Sequence, residues 1–141
     1  MTKRYFLDTT IFLRYFLVDS RRSPACTQLL QMAEDGKILV ATSSLVLLEL
    51  HATLAKIYGF NEVELNTISE LVQSIRNIQL CETTDIKLAL EWHRETELRL
   101  SSCLLATQIP AKAILVSYDT DFSLLQTLQR QTPESIIAPK N

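Results

Sequence analysis

Arg4-Tyr5-Phe6-Leu7-Asp8-Thr9-Thr10 is a short apolar run that ends on a carboxylate and two hydroxyls. It is too short for a helix and predicts a strand over 4–7, followed by a helix from about Thr10 to Leu17. Compact apolar runs recur at Ile38-Leu39-Val40, Ile78-Gln79-Leu80 and Ala113-Ile114-Leu115-Val116. The stretches between them read as helices. Ser23-Pro24 predicts a helix start, with serine as cap and proline at the first helical position, and Gly36 a left-handed end. Thr42 to Ser44 offer caps for a third helix, in which Leu45, Leu48, Ala52 and Ala55 keep a helical spacing up to Gly59. Asn61 and Glu64 have capping-box spacing, and Ile68, Leu71, Val72 and Ile75 form one apolar face beyond them. Thr84 is the expected cap of a long helix reaching about Glu97. A short helix near 102–108 is broken by Pro110. Asp119 to Phe122 open another helix, and Ser135 to Ala138 read as an edge strand. Short, nearly all-apolar strands separated by helices imply an α/β fold, with a parallel sheet covered on both faces. Ligands bind such sheets beyond the carboxyl ends of the strands. Asp8 follows the first strand and Asp119 the fourth.

With 141 residues the chain fits one domain over 1–141 and is long enough for a real core. Hydrophobic residues make up 47%, against disorder. A formal net charge of −2 means that any nucleic-acid contact must come from a local basic patch or a metal. Cys26, Cys81 and Cys103 are odd in number and form no CxxC pair, so they read as reduced core thiols. Asp8 breaks the first apolar stretch, which excludes a signal peptide, and no run approaches a membrane span. The expectation is a cytoplasmic protein. There is no Gly-rich phosphate loop and no Ser-His-Asp pattern.

The candidate chemistry lies in the acids. Asp8 at a strand end can hold a hard cation, with Thr9 and Thr10 as hydroxyl support, or it can simply cap the next helix. Glu49 stands among leucines, where a carboxylate is costly unless it is paired, metal-bound or turned to solvent. Asp119 and Asp121 can cap and favour the start of a helix, which is compatible with metal binding. Carboxylates gather with little cost only around a divalent cation, and Mg²⁺ or Mn²⁺ held by oxygens can activate water against a phosphodiester.

Three stretches together resemble a known family. Residues 5–14 (YFLDTTIFLR), residues 44–50 (SLVLLEL) and residues 115–122 (LVSYDTDF) resemble, in order and spacing, the acidic motifs of PIN domains. The resemblance is greatest to VapC-type toxins of VapBC toxin–antitoxin pairs and spans nearly the whole chain. It implies a PIN-like α/β/α sandwich and a metal-dependent endoribonuclease, the toxin of a type II pair. It also implies RNA as substrate, Mg²⁺ or Mn²⁺ as cofactor, an antitoxin partner and a homodimer formed through helices. Asp8, Glu49 and Asp119 would be the catalytic and metal-binding acids. Thr10, Ser102, Ser117 and Asp121 would be auxiliary, and Arg14, near Asp8 in sequence, would meet a phosphate.

One motif departs from the family. Matching Cys103 to Thr107 against a short helix that usually follows an aspartate puts Ser102 at that position. A serine hydroxyl is a poor metal ligand but can still cap the helix. Glu95 and Glu97 lie upstream, without a spacing that places them at a site. Three outcomes are open: a weakened nuclease, a silent module that binds RNA or an antitoxin peptide without cutting, or an aspartate replaced to disarm a toxic enzyme. Lys3, Arg4, Arg14, Arg21 and Arg22 gather positive charge near the N-terminus, which otherwise reads as a solvated face. His51 and His93 lack a partner at catalytic spacing, and Trp92 and Tyr58 read as packing residues.

Overall fold

A computed structural model of the chain describes residues 2–17 and 21–138. The chain runs β1 (Arg4–Leu7), α1 (Thr9–Phe16), α2 (Ser23–Glu34), β2 (Leu39–Thr42), α3 (Ser44–Lys56), α4 (Glu62–Gln73) and β3 (Gln79–Leu80). It continues with α5 (Ile86–Thr96), α6 (Leu100–Thr107), β4 (Ile114–Val116), a 3-10 helix (Thr120–Leu124), β5 (Arg130–Gln131) and α7 (Pro133–Ile137). All pairings are parallel, in the order β3-β2-β1-β4-β5. β1 is therefore central. The chain winds to one side of it through β2 and β3 and to the other through β4 and β5, so strand order reverses between β1 and β4. A crevice at that reversal is where open α/β sheets place their sites.

The central strands are apolar because both faces are covered. Phe6, Leu7, Val40, Ala41, Leu115 and Val116 have no exposed surface. Ile11 and Phe12 of α1, Leu29 of α2, Leu50 and Leu54 of α3, and Leu105 of α6 pack on them. This is the flanked parallel sheet the apolar runs imply. The edges are different: both residues of β3 are exposed, so Ile78-Gln79-Leu80 supplies a two-residue edge strand rather than a buried one.

Several caps form as the sequence implies. Asp8 caps α1, and Asn61 and Glu64 close a reciprocal capping box on α4. Gly36 takes φ +74°, while its N–H and that of Lys37 donate to the carbonyls of Ala33 and Met32, an end that glycine permits at little cost. Others move. Arg22, not Ser23, precedes α2, and Ser23 is buried in its first turn. Asp85 caps α5 in place of Thr84, because its carboxylate accepts from Leu88 N–H, whereas the Thr84 hydroxyl receives Gln108 Nε2. Residues 135–138 are not a strand. Thr132 caps α7 with Pro133 in the first turn, and the edge strand is β5 instead. Leu48 and Leu71 lie outside the buried faces of their helices, which run through Val46, Leu50 and Leu54 and through Leu65, Ile68 and Val72. Tyr58 is exposed and does not pack. Among the described residues, no helix is long and apolar enough to cross a membrane. Cys26, Cys81 and Cys103 are free thiols, buried as expected.

Candidate functional site

The register of β1 and β4 builds the centre of the site. Leu7 pairs with Val116, so the next residues, Asp8 and Ser117, emerge side by side at the carboxyl edge. Ser117 Oγ donates to Asp8 Oδ2 at 2.6 Å. Thr10 gives Asp8 Oδ1 two more hydrogen bonds, from its backbone N–H at 2.9 Å and its hydroxyl at 2.6 Å. Ser117 Oγ in turn accepts from Asp119 N–H at 3.0 Å, and Thr10 Oγ1 from Tyr118 N–H at 3.0 Å. These bonds tie β1, α1 and the turn after β4 into one framework around a single carboxylate.

Asp8 is only 4% exposed. Burial pushes its carboxyl up to about 6, and the nearby Asp119 charge adds to this. The hydroxyls and the Thr10 amide pull the other way without cancelling the loss of solvent. A carboxylate held fixed yet short of positive charge is one that a cation would stabilise.

Asp8, Glu49 and Asp119 line one cavity of about 340 Å³, together with Thr9, Thr10, Ser101 and Ser102. Glu49 projects from α3 and is half-buried, and its Oε2 accepts from Thr9 Oγ1 at 2.9 Å. Asp119 caps the 3-10 helix through Asp121 N–H at 2.9 Å, so capping and cleft-lining coincide in one residue. Asp121 contributes that amide, but its side chain is exposed and does not line the cleft.

The donors at this cleft are hard oxygens, the chemistry of Mg²⁺ or Mn²⁺ rather than of zinc. Among the described residues, no three of His, Cys, Asp and Glu lie close enough to enclose a metal. Mg²⁺ commonly uses one or two carboxylates and takes its other ligands from water and phosphate. The residues therefore fit an open, partly hydrated cation and do not form a closed cage.

Ser102 lines the cleft and is 4% exposed, but it does not cap α6. The helix begins earlier than expected, at Leu100, after Arg99, which makes no side-chain capping bond. Ser102 is thus a first-turn residue. Arg14 stands in the last turn of α1, does not line the cleft, and is close enough to Cys26 of α2 to favour its thiolate. The cation that does reach the cleft is Arg99, 3.8 Å from Asp119 Oδ2. Sequence reasoning missed it, although it lies three residues before Ser102, just ahead of the stretch where the fourth motif was sought. Glu95 and Glu97 stay outside the cleft, and Glu97 closes α5 at φ +62°. His51 Nε2 lies 2.5 Å from Ser69 Oγ, and His93 Nδ1 2.6 Å from the Leu98 carbonyl, both structural contacts.

The fold is shared with known toxin structures. A VapBC2 complex from Rickettsia felis, bound to a promoter DNA fragment, superposes with TM-score 0.68 at 19% identity, covering 92% of this chain and 98% of that one. VapC20 of Mycobacterium tuberculosis, described as cleaving the sarcin–ricin loop, gives 0.64 at 21% identity, with coverage of 86% and 94%. A toxin–antitoxin complex from Klebsiella pneumoniae gives 0.60 at 18%, with coverage of 92% and 97%. None of the curated proteins matches the chain in sequence. A family model described as the PIN domain matches residues 5–127, from the strand that carries Asp8 to beyond Asp119, and the chain belongs to the PIN-domain family.

Proposed function

We propose that this PIN domain, spanning 1–141, is a divalent-metal-dependent endoribonuclease that acts as the toxin of a toxin–antitoxin pair. The observation that carries the proposal is the convergence of Asp8, Glu49 and Asp119, from three separate elements, on one cleft at the carboxyl edge of the sheet. The structural neighbours described as VapBC toxins or toxin–antitoxin complexes support it.

Asp8, Glu49 and Asp119 would hold Mg²⁺ or Mn²⁺. When bound, the ion supplies Lewis acidity toward water and the leaving oxygen. The protein's own share is positional. Thr10 and Ser117 fix Asp8 in one rotamer, and Thr9 fixes one oxygen of Glu49. Glu49 lines the cleft, where its carboxylate would help to hold the ion. Phe122 and Leu105 give the cleft an apolar wall that limits competing water. An antitoxin would occupy the same cleft, and a cytoplasmic location follows from the RNA substrate. A homodimer is the expected assembly. Six large apolar side chains between 48 and 80 stand exposed: Leu48, Ile57, Tyr58, Val63, Leu71 and Leu80.

A second proposal, a silent module that binds RNA or an antitoxin peptide, is favoured by Ser102 at an expected aspartate and by the lack of an enclosing acidic cluster among the described residues. Incubation of mixed RNA with the chain, its Asp8→Asn form and its Ser102→Asp form, each with Mn²⁺, separates the two. Cleavage by the chain that disappears in Asp8→Asn supports the nuclease. Equal cleavage by Asp8→Asn would sink the assignment. Cleavage only by Ser102→Asp favours the silent module.

A further inference from the structure

The cleft has two chemically distinct sides. Asp8, Glu49 and Asp119 form one. The other is the start of α6, where Arg99, Ser101 and Ser102 line the same space. An eight-residue helix begins there without a side-chain cap, so the amides of its first turn have neither an intrahelical partner nor a capping side chain. Amides in that position attract anions, both through their hydrogens and through the helix dipole.

Two further observations point to a ligand. Ser102 is 4% exposed and lines the cleft, and its hydroxyl, which takes part in none of the hydrogen bonds among the described residues, keeps its access to that space. Three neighbouring hydroxyls are engaged with the acids: Thr9 with Glu49, and Thr10 and Ser117 with Asp8. Arg99 adds a guanidinium whose side chain is 74% exposed and whose nearest carboxylate oxygen is 3.8 Å away, beyond a good hydrogen bond. Such a contact leaves most of its five N–H donors free for a planar or tetrahedral oxyanion.

We infer that the first turn of α6 is a phosphate-binding subsite, in which the amides of Ser101 and Ser102, the Ser102 hydroxyl and the Arg99 guanidinium receive a phosphate group across from the carboxylates. An aspartate at position 102 would put a negative charge against that group. Serine leaves a neutral donor in its place. The substitution that weakens a metal cage thus builds an oxyanion cradle. The use of this cradle to seat the scissile phosphodiester of RNA rests on the nuclease proposal, but its affinity for phosphate does not.

The test is an amide-resolved NMR titration of the metal-free full chain with inorganic phosphate, against chloride at equal ionic strength. The amide signals of Ser101 and Ser102 are expected to move with phosphate and not with chloride. Arg99→Gln, at an exposed position that leaves the fold intact, is expected to weaken the response by about tenfold, the loss of one charge-assisted contact. Ser102→Asp is expected to abolish it. Absence of phosphate-specific shifts at these amides, or shifts unchanged in both variants, overturns the subsite. RNA cleavage by a chain whose α6 amides do not respond overturns the subsite and leaves the nuclease standing. Phosphate binding without RNA cleavage by any variant does the reverse.

Discussion

Asp8 illustrates how a residue can be well bonded and still costly. Three hydrogen bonds fix its carboxylate, but burial raises its pKa from 3.8 to about 6. The folded metal-free chain therefore holds a proton between these values that the unfolded chain has lost. Stability from this group is greatest below about pH 4 and falls as pH rises through 6. We expect urea unfolding of the metal-free protein to show a loss on the order of 2 kcal/mol from this group between pH 4 and 7.5. Asp8→Asn should remove that component and be the more stable form at pH 7.5, while lacking RNA cleavage. An Asp8→Asn protein with the parent's pH profile would contradict the burial argument. At this scale Asp8, Glu49 and Asp119 were legible because a carboxylate beside an apolar run demands an explanation. Arg99 was not, since an arginine in a polar stretch reads as solvated surface, and only the packing of α6 brings it to the cleft. Arg14, six residues from Asp8 in sequence, does not line the cleft and lies near Cys26 of α2.

α3 shows why an apolar pattern alone underdetermines which helix face is buried. Its sequence offers leucines on several sides; Leu48 shares a helical spacing with Leu45, Ala52 and Ala55, yet it is 67% exposed while Leu50 and Leu54 are fully buried. Leu50→Ala should cost about 2–5 kcal/mol through the cavity it leaves. Leu48→Ala should stay within about 0.5 kcal/mol in the monomer. Thermal and denaturant unfolding of the two variants checks the contrast, and equal losses would mean the face is wrong. Asn61→Ala should cost about 1 kcal/mol by opening the capping box of α4. The capping signal was readable at Asn61, where Glu64 closes the box, but not at Ser23, which lies inside α2 after Arg22. Such signals also failed where two neighbours competed, as with Thr84 and Asp85, or where a short helix began two residues early, as at α6. The stretch 135–138 misled because Ile136 and Ile137 favour strands. Thr132 and Pro133, a cap and a first-turn proline, override that preference.

At the scale of the whole molecule, the sheet order explains both what was readable and what was not. A parallel sheet follows from alternating apolar runs and helices, but nothing in those runs says that β1 lies between β2 and β4. β5, two residues long, left almost no pattern to detect, while Ile78-Gln79-Leu80 marked β3 without showing that it is an edge. The exposed apolar side chains between 48 and 80 belong to this scale too. Sedimentation velocity at tens of micromolar is expected to show a dimer, and Val63→Asp, at a 74% exposed position, a monomer of unchanged stability. A monomeric parent chain would remove the homodimer from the proposed function.

The pairing of Leu7 with Val116 carries a consequence for synthesis. Asp8 is made 109 residues before its partner Ser117, which follows the strand that must dock beside it. A nascent chain still on the ribosome can form β1, α1, α2 and β2, yet it has no cleft until β4 emerges and slots against β1. If the domain cuts RNA, it can do so only once the segment through β4 has left the ribosome.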